Sequence, residues 1–169
     1  NGQSAEELIN RAAIARRDAA ALPGYLQVYQ QDRDLAHQRH IQLIRDLRSA
    51  ASEGQLQLHY QPKLDIRSGH VRQAEALLRW QHPELGMVSP AEFIPLAERT
   101  GSMFRLTGWV IEEGIRQLSA WNRKDLHMQL SLNISAEDLH GENLLMTVER
   151  LLKRYQLSAE QLIFEITES

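Results

Sequence analysis

Cysteine is absent from the 169 residues, which excludes disulfide scaffolds, thiolate nucleophiles and cysteine zinc sites. Charge of one sign is also lacking: 19 Lys and Arg stand against 22 Asp and Glu, for a net charge of -3, with no long basic block. A general binder of nucleic-acid polymer or of anionic membrane is therefore not expected. No apolar run approaches the roughly 18 residues of a membrane span, and Asn1-Gly2-Gln3-Ser4 has none of the charged and apolar regions of a secretion signal. The segment is expected to be soluble and to make no membrane contact. What remains is an ordinary globular composition, 43% hydrophobic and 24% charged, with no repeat and no low-complexity tract.

Along the chain, Ser4 with Glu7 three residues later forms a capping-box pattern, and Leu8, Ala12, Ala15 and Ala19 recur at helical spacing. That helix is expected to end near Leu22, before a Pro23-Gly24 turn and a short strand from Tyr25 to Tyr29. Leu35 to Ala51 reads as a second amphipathic helix, stopped by Gly54. From Leu56 the period changes to two: Leu56, Leu58 and Tyr60 share one face, and Gln57, His59 and Gln61 the other. A second strand runs from Val71 to Trp80. Ser89-Pro90 with Glu92 predicts another capped helix start, and Pro95 is expected to kink or restart that helix. A long helix follows Thr100-Gly101. The segment from His127 to Ile134 alternates as a strand, Ser135 caps the next helix through Leu144, Val148, Leu151, Leu152 and Tyr155, and Leu162 to Thr167 is a last strand. Strands alternating with helices in this order indicate an α/β architecture with parallel crossovers.

Packing alone does not account for the strand at 71–80. Ala74, Ala76, Leu78 and Trp80 share one face, so Glu75, Leu77 and Arg79 share the other. If both faces are covered, two charges point inward. Burial of a charge costs several kcal/mol without compensation, and residues four apart on a strand are separated by roughly 13 Å, too far to pair. A cation suits Glu75 and an anion such as phosphate suits Arg79. Asn133 and Glu165 repeat the anomaly near the ends of the next two strands, and late-strand donors converge at one end of a parallel α/β barrel. Two carboxylates and an amide oxygen suit Mg²⁺ or Mn²⁺, whereas zinc favours His or Cys. Each residue taken singly keeps a plainer reading: Glu75 solvated, Arg79 in a surface ion pair, Asn133 opening the turn into Ser135, Glu168 a solvated chain-end residue. Among the seven His, none pairs in a metal spacing, with His37 and His40 expected to face solvent. Trp80, Trp109 and Trp121 are expected in the core.

Tyr60-Gln61-Pro62-Lys63, Glu75-Ala76-Leu77-Leu78-Arg79-Trp80, the run Ser89 to Glu98, Ser131-Leu132-Asn133-Ile134-Ser135 and Phe164-Glu165-Ile166-Thr167-Glu168-Ser169 occur in this order. Together they make residues 56–169 resemble the EAL family. The resemblance implies a TIM-like (β/α) barrel with an antiparallel first strand, present here as four strands of the eight that the fold needs. It implies metal-dependent hydrolysis of cyclic-di-GMP to linear pGpG in bacterial second-messenger signalling. Glu75, Asn133 and Glu165 would be ligands of Mg²⁺ or Mn²⁺, Gln61, Leu77, Arg79 and Pro90 would contact the dinucleotide, and Glu168 would position a later loop as a third catalytic carboxylate beside Glu75 and Glu165. It further implies a homodimer through the EAL domain and a cytoplasmic location, the parent being anchored in the bacterial inner membrane or free. The family's Asp-Asp pair, Lys, Glu and Gln would follow Glu165 beyond Ser169, so the polypeptide by itself is expected to be inactive. Residues 1–30 resemble the helix-then-strand end of a GGDEF domain, with Leu22-Pro23-Gly24 in place of the family's Gly-Arg; 31–54 would be a connector and 55–169 the EAL portion. A non-catalytic cyclic-di-GMP receptor or scaffold is the alternative, and a fragment without ligand competence a third.

Overall fold

The computed structural model describes residues 4–20, 31–135, 138 and 142–167. Two compact units are present, Asn1–Arg45 and Asp46–Ser169. In the first, helix α1 spans Ala5–Ala20, and its start is the reciprocal cap that the sequence indicates. The Ser4 N–H donates to Glu7 Oε2 and the Glu7 N–H to Ser4 Oγ, both at 3.2 Å. The turn at Pro23-Gly24 and the strand at 25–29 lie outside the described residues. Helix α2 spans Gln31–Leu47, starting earlier and ending earlier than the periodicity indicates. On α2, His40 is exposed but His37 is partly buried. Past Leu47 the chain continues as linked turns, where the Ser49 and Ser52 hydroxyls donate to the carbonyls of Asp46 and Ser49, the local competition by which serine breaks helices. The turns end at Gly54, whose φ of +68° requires the conformational freedom of glycine.

The second unit is built on a five-stranded sheet, β1 (Leu56–Asp65), β2 (His70–His82), β3 (Gly86–Val88), β4 (Gln129–Ser135) and β5 (Leu162–Thr167). The order is β1-β2-β4-β5, with β3 also paired to β2. β1 runs antiparallel to β2, while β2–β4 and β4–β5 are parallel. The parallel steps are crossed by α3 (Pro90–Arg99) and α4 (Met103–Asn122), then by α5 (Glu142–Tyr155). This open sheet is an α/β, partial TIM-like barrel with an antiparallel first strand. Among the described residues no helix is long and apolar enough to cross a membrane.

Register determines what each face carries. Paired residues in adjacent strands point the same way, so Leu58 and Tyr60, Ala74 and Ala76, Leu130 and Leu132, and Leu162 and Phe164 form one apolar surface. The buried stripe of α4, Val110, Ile111, Ile115 and Leu118, packs on it together with Val148 and Leu151 of α5. Trp80 is fully buried and stands edge-on to Phe93, 5.5 Å between ring centroids; Trp109 and Trp121 pack against the core.

Two expectations about α3 need correction. Ser89 is the N-cap, but its side chain makes no capping hydrogen bond. Its backbone carbonyl accepts the N–H groups of Glu92 and Phe93 instead, and Pro90 at the first helical position has no N–H to satisfy. Pro95 does not restart the helix, which runs unbroken through it. The sequence also gives no sign of β3, a three-residue strand held by pairing with Trp80, Gln81 and His82. The His82 ring fixes the β2–β3 turn: Nδ1 accepts the N–H groups of Glu84 and Leu85 at 3.1 and 3.2 Å. Nε2 is then the protonated nitrogen that donates to Asp46 Oδ2, at 3.1 Å.

The close approach of α4 to β4 depends on Gly114. A Cβ there would stand 3.0 Å from Leu132 Cδ2 and 3.2 Å from Leu130 Cδ2. Gly114→Val is expected to overpack this seam and destabilise the domain by about 1–3 kcal/mol, measurable by urea unfolding. A second prediction concerns pH. Tyr60 stands edge-on to Trp121 with centroids 5.0 Å apart, and burial, with Glu113 adding and Arg116 opposing, pushes its phenol from 10.0 up to about 12. A folded-state value above the unfolded one favours the protonated fold. Its stabilisation is complete below pH 10 and is lost as pH rises from there to about 12. Tyr60→Phe should flatten the fall of Tm across that window.

Candidate active site

The other face of the sheet is polar. Gln61 is the register partner of Glu75, Glu75 of Ser131, and Asn133 of Glu165, so these side chains project to one side from four adjacent strands. Asn133 Nδ2 donates to Glu75 Oε1 at 2.9 Å, which leaves Oδ1 as its oxygen donor. A cation already stands among them, and it belongs to the chain. Lys63 Nζ donates to Glu165 Oε1 at 2.5 Å and lies 3.7 Å from Glu75 Oε2. Ser131, fully buried, accepts from Gln73 Nε2 at 2.9 Å and from Lys63 Nζ at 3.4 Å. Hydrogen bonds from Lys63 and Ser131 hold the Glu165 carboxyl below its ordinary range, and the Glu165 partner raises Lys63. Glu75 thus has a cationic neighbour inside the protein, where strand alternation alone pointed to an external one.

Two carboxylates beside one positive charge, with the Asn133 amide bonded to one of them, make a donor set that fits a hard divalent cation. Among the described residues there is no group of three or more His, Cys, Asp or Glu able to hold a metal, so the donors present are Glu75, Asn133 and Glu165.

Beside this cluster opens a cavity of about 390 Å³ lined by Glu75, Leu77 and Arg79 of β2, Asn133 of β4, and Pro90, Ile94, Met103 and Leu106 of α3 and α4. Its position follows from pairing. β4 accompanies β2 only as far as Ala76, and β3 joins only from Trp80, so Leu77 to Arg79 lie between two partners on that edge. Arg79 Nη1 donates to the Leu78 carbonyl at 2.8 Å within this gap. The far wall is tied to the end of β4 through Asp138, whose Oδ2 accepts from the hydroxyls of Thr107 and Ser135 at 2.7 and 2.8 Å and from the Ser135 N–H at 3.1 Å.

The expected residues are therefore distributed as follows. Glu75, Asn133 and Glu165 share one cluster, and Leu77, Arg79 and Pro90 line the adjoining cavity with Glu75 and Asn133. Gln61 is exposed, opposite Glu75 on β1. Glu168 lies outside the described residues. Sequence reasoning assigned no role to Lys63, although the alternation Gln57, His59, Gln61 carried two residues further reaches it. It missed Asp138 as well, although Ser135 three residues earlier makes a capping pattern with it, and the apolar wall from α3 and α4, whose spacing reads only as core.

The family model described as EAL domain matches residues 44–169, and the chain belongs to that family. A cyclic di-GMP phosphodiesterase of Pseudomonas aeruginosa is 43% identical over 137 residues, 80% of this chain and 23% of that protein. The bifunctional diguanylate cyclase/cyclic di-GMP phosphodiesterase MucR of the same organism is 36% identical over 172 residues, covering all of this chain and 25% of its own length. The structure of the MucR phosphodiesterase in complex with c-di-GMP superposes with a TM-score of 0.71 at 40% identity, over 76% of this chain and 52% of that one. The Xanthomonas citri FimX EAL domain in complex with c-di-GMP gives 0.71 at 25% identity, over 80% and 52%. The chain thus spans about a quarter of the length of the curated relatives it matches.

Proposed function

We propose that the intact protein hydrolyses cyclic di-GMP to linear pGpG, with Glu75, Asn133 and Glu165 holding Mg²⁺ or Mn²⁺. The observation that carries this reading is the convergence of those three oxygen donors from adjacent strands, beside a cavity that also holds an arginine. A bound divalent ion supplies a nucleophilic water at neutral pH and neutralises charge on the phosphodiester. The chain's own residues do the rest. Arg79 anchors a phosphate by charge-assisted hydrogen bonds, Leu77 and Pro90 pack against the dinucleotide, Gln61 contacts it from β1, and Glu168 positions a later loop.

The same proposal makes residues 1–30 the end of a GGDEF-like domain, supported by the alignment of the whole chain with a bifunctional relative, with 31–54 a connector and 55–169 EAL domain. It places the protein in the cytoplasm, anchored to the inner membrane or free, and makes it a homodimer through the EAL domain, which light scattering of the intact protein tests. A binding-only receptor is the second reading. It is favoured by Lys63, which compensates Glu165 and Glu75 from within the chain. Incubating the intact protein with cyclic di-GMP and Mg²⁺ or Mn²⁺, and separating the nucleotides by chromatography, decides between the two. pGpG supports the enzyme; tight binding without product supports the receptor.

A further inference from the structure

We propose that Lys63 is the resident cation of the cup before metal enters, that a divalent ion displaces its ammonium, and that Lys63 thereby sets the metal affinity of the site. The inference rests on the reading of Glu75, Asn133 and Glu165 as a metal-binding set and assigns this chain a residue which that reading does not use.

Three observations carry it. The Nζ atom lies between the two carboxylates that belong to the proposed ligand set, 2.5 Å from Glu165 Oε1 and 3.7 Å from Glu75 Oε2. An ammonium at hydrogen-bonding distance from a carboxylate oxygen occupies space that a second cation bound to the same oxygen must take, and like charges that close repel strongly. Next, Lys63 keeps the regular register of β1 with β2, paired with Gln73, so it shares the face of Gln61, and its long side chain reaches Ser131 on β4 and Glu165 on β5. Finally, the side chain is about one-third exposed, so its flexible stem has solvent into which the ammonium can withdraw. A fully enclosed lysine would be locked in place; this one is held at its tip and partly open to solvent.

Exchange explains a difficulty that the cup would otherwise have. Without a cation, the two carboxylates that share Lys63, one on β2 and one on β5 with β4 between them, would be left as like charges on one face, which disfavours the fold. Lys63 removes that penalty in the metal-free protein. The consequence is that metal must compete with it, so the lysine weakens binding while it protects the apo fold.

The test uses the intact protein in three forms: unsubstituted, Lys63→Met and Glu165→Gln. Mn²⁺ binding is followed by electron paramagnetic resonance and the melting temperature by scanning calorimetry with and without chelator. Lys63→Met is expected to bind Mn²⁺ roughly two- to fivefold more tightly, the range for loss of one exposed competing ion pair, and to melt lower than the unsubstituted protein in chelator. Glu165→Gln is expected to bind more weakly. In the unsubstituted protein, acylation of the Lys63 amine, read by peptide mass spectrometry, should accelerate severalfold when Mg²⁺ saturates the site. This last arm needs no variant and stands even if Lys63→Met folds poorly. Equal Mn²⁺ affinity in Lys63→Met, or an acylation rate unmoved by Mg²⁺, would overturn the exchange while leaving the metal site intact. Absence of Mn²⁺ binding in the unsubstituted protein would overturn the metal-binding reading and this proposal with it. Tighter binding by Lys63→Met supports the exchange whether or not cyclic di-GMP is hydrolysed.

Discussion

Glu75→Ala in the intact protein is expected to lower turnover of cyclic di-GMP by on the order of 10³-fold or more, the scale set by losing a ligand that positions a catalytic ion. The size of the effect follows from the place of Glu75 in the cluster. It supplies one of only two carboxylates among the proposed donors, it accepts the Asn133 amide at 2.9 Å, and it is the second anionic neighbour of Lys63. Alanine removes all three functions at once. Glu75→Gln separates them: the amide oxygen can still accept from Asn133, so the cluster keeps its shape, but the charge is gone. Turnover should fall in both variants, with Mn²⁺ affinity weakened and Tm changed less in Glu75→Gln than in Glu75→Ala. Turnover in Glu75→Ala within a few-fold of the parent would refute the assignment.

Arg79→Ala is expected to act differently. A hydrogen bond to a charged group contributes about 1.5–3 kcal/mol, so removing a phosphate anchor should raise KM for cyclic di-GMP by roughly 10- to 100-fold and change kcat less. The location supports a binding role. Arg79 lies four residues beyond Glu75 on β2, on the same face, where β4 has ended and β3 has not begun. It lines the cavity there, held locally by the Leu78 carbonyl. Arg79→Lys would keep a positive charge but lose the planar fork, and KM should lie between those of the parent and alanine forms. A KM unchanged in Arg79→Ala, measured by product chromatography over a range of substrate, would mean that Arg79 does not touch the dinucleotide.

The strands were legible from alternation because side-chain direction within one strand depends only on local backbone geometry. Ala74, Ala76, Leu130 and Leu132 are buried as their positions indicate, and Glu75, Asn133 and Glu165 do share the opposite face through register. The seam around Gly114 was not legible. A glycine within α4 signals no particular neighbour, and only the stacking of helix on sheet brings Leu130 and Leu132 against it. Ser89 misled for a related reason: Ser followed by Pro and Glu has the composition of a capping box, yet the Ser89 hydroxyl makes no capping bond and its backbone carbonyl accepts the first N–H groups of the helix. The short β3 strand exists because β2 outruns β4 and offers an edge to pair, a condition no window of three residues can express.

Periodicity and residue chemistry by themselves determined which side chains face the polar side of the sheet, that hard oxygen donors occur on three of its strands, and that ordered motifs tie 56–169 to one family. Only the tertiary structure decided what meets what. Lys63 and Glu165 are separated by 102 residues, and their contact exists because strand pairing sets both the order and the register of β1, β2, β4 and β5. Alternation is a property of one chain segment, whereas the neighbour of a carboxylate is selected by how whole elements pack; that is why the charge opposite Glu75 was foreseeable and its source was not.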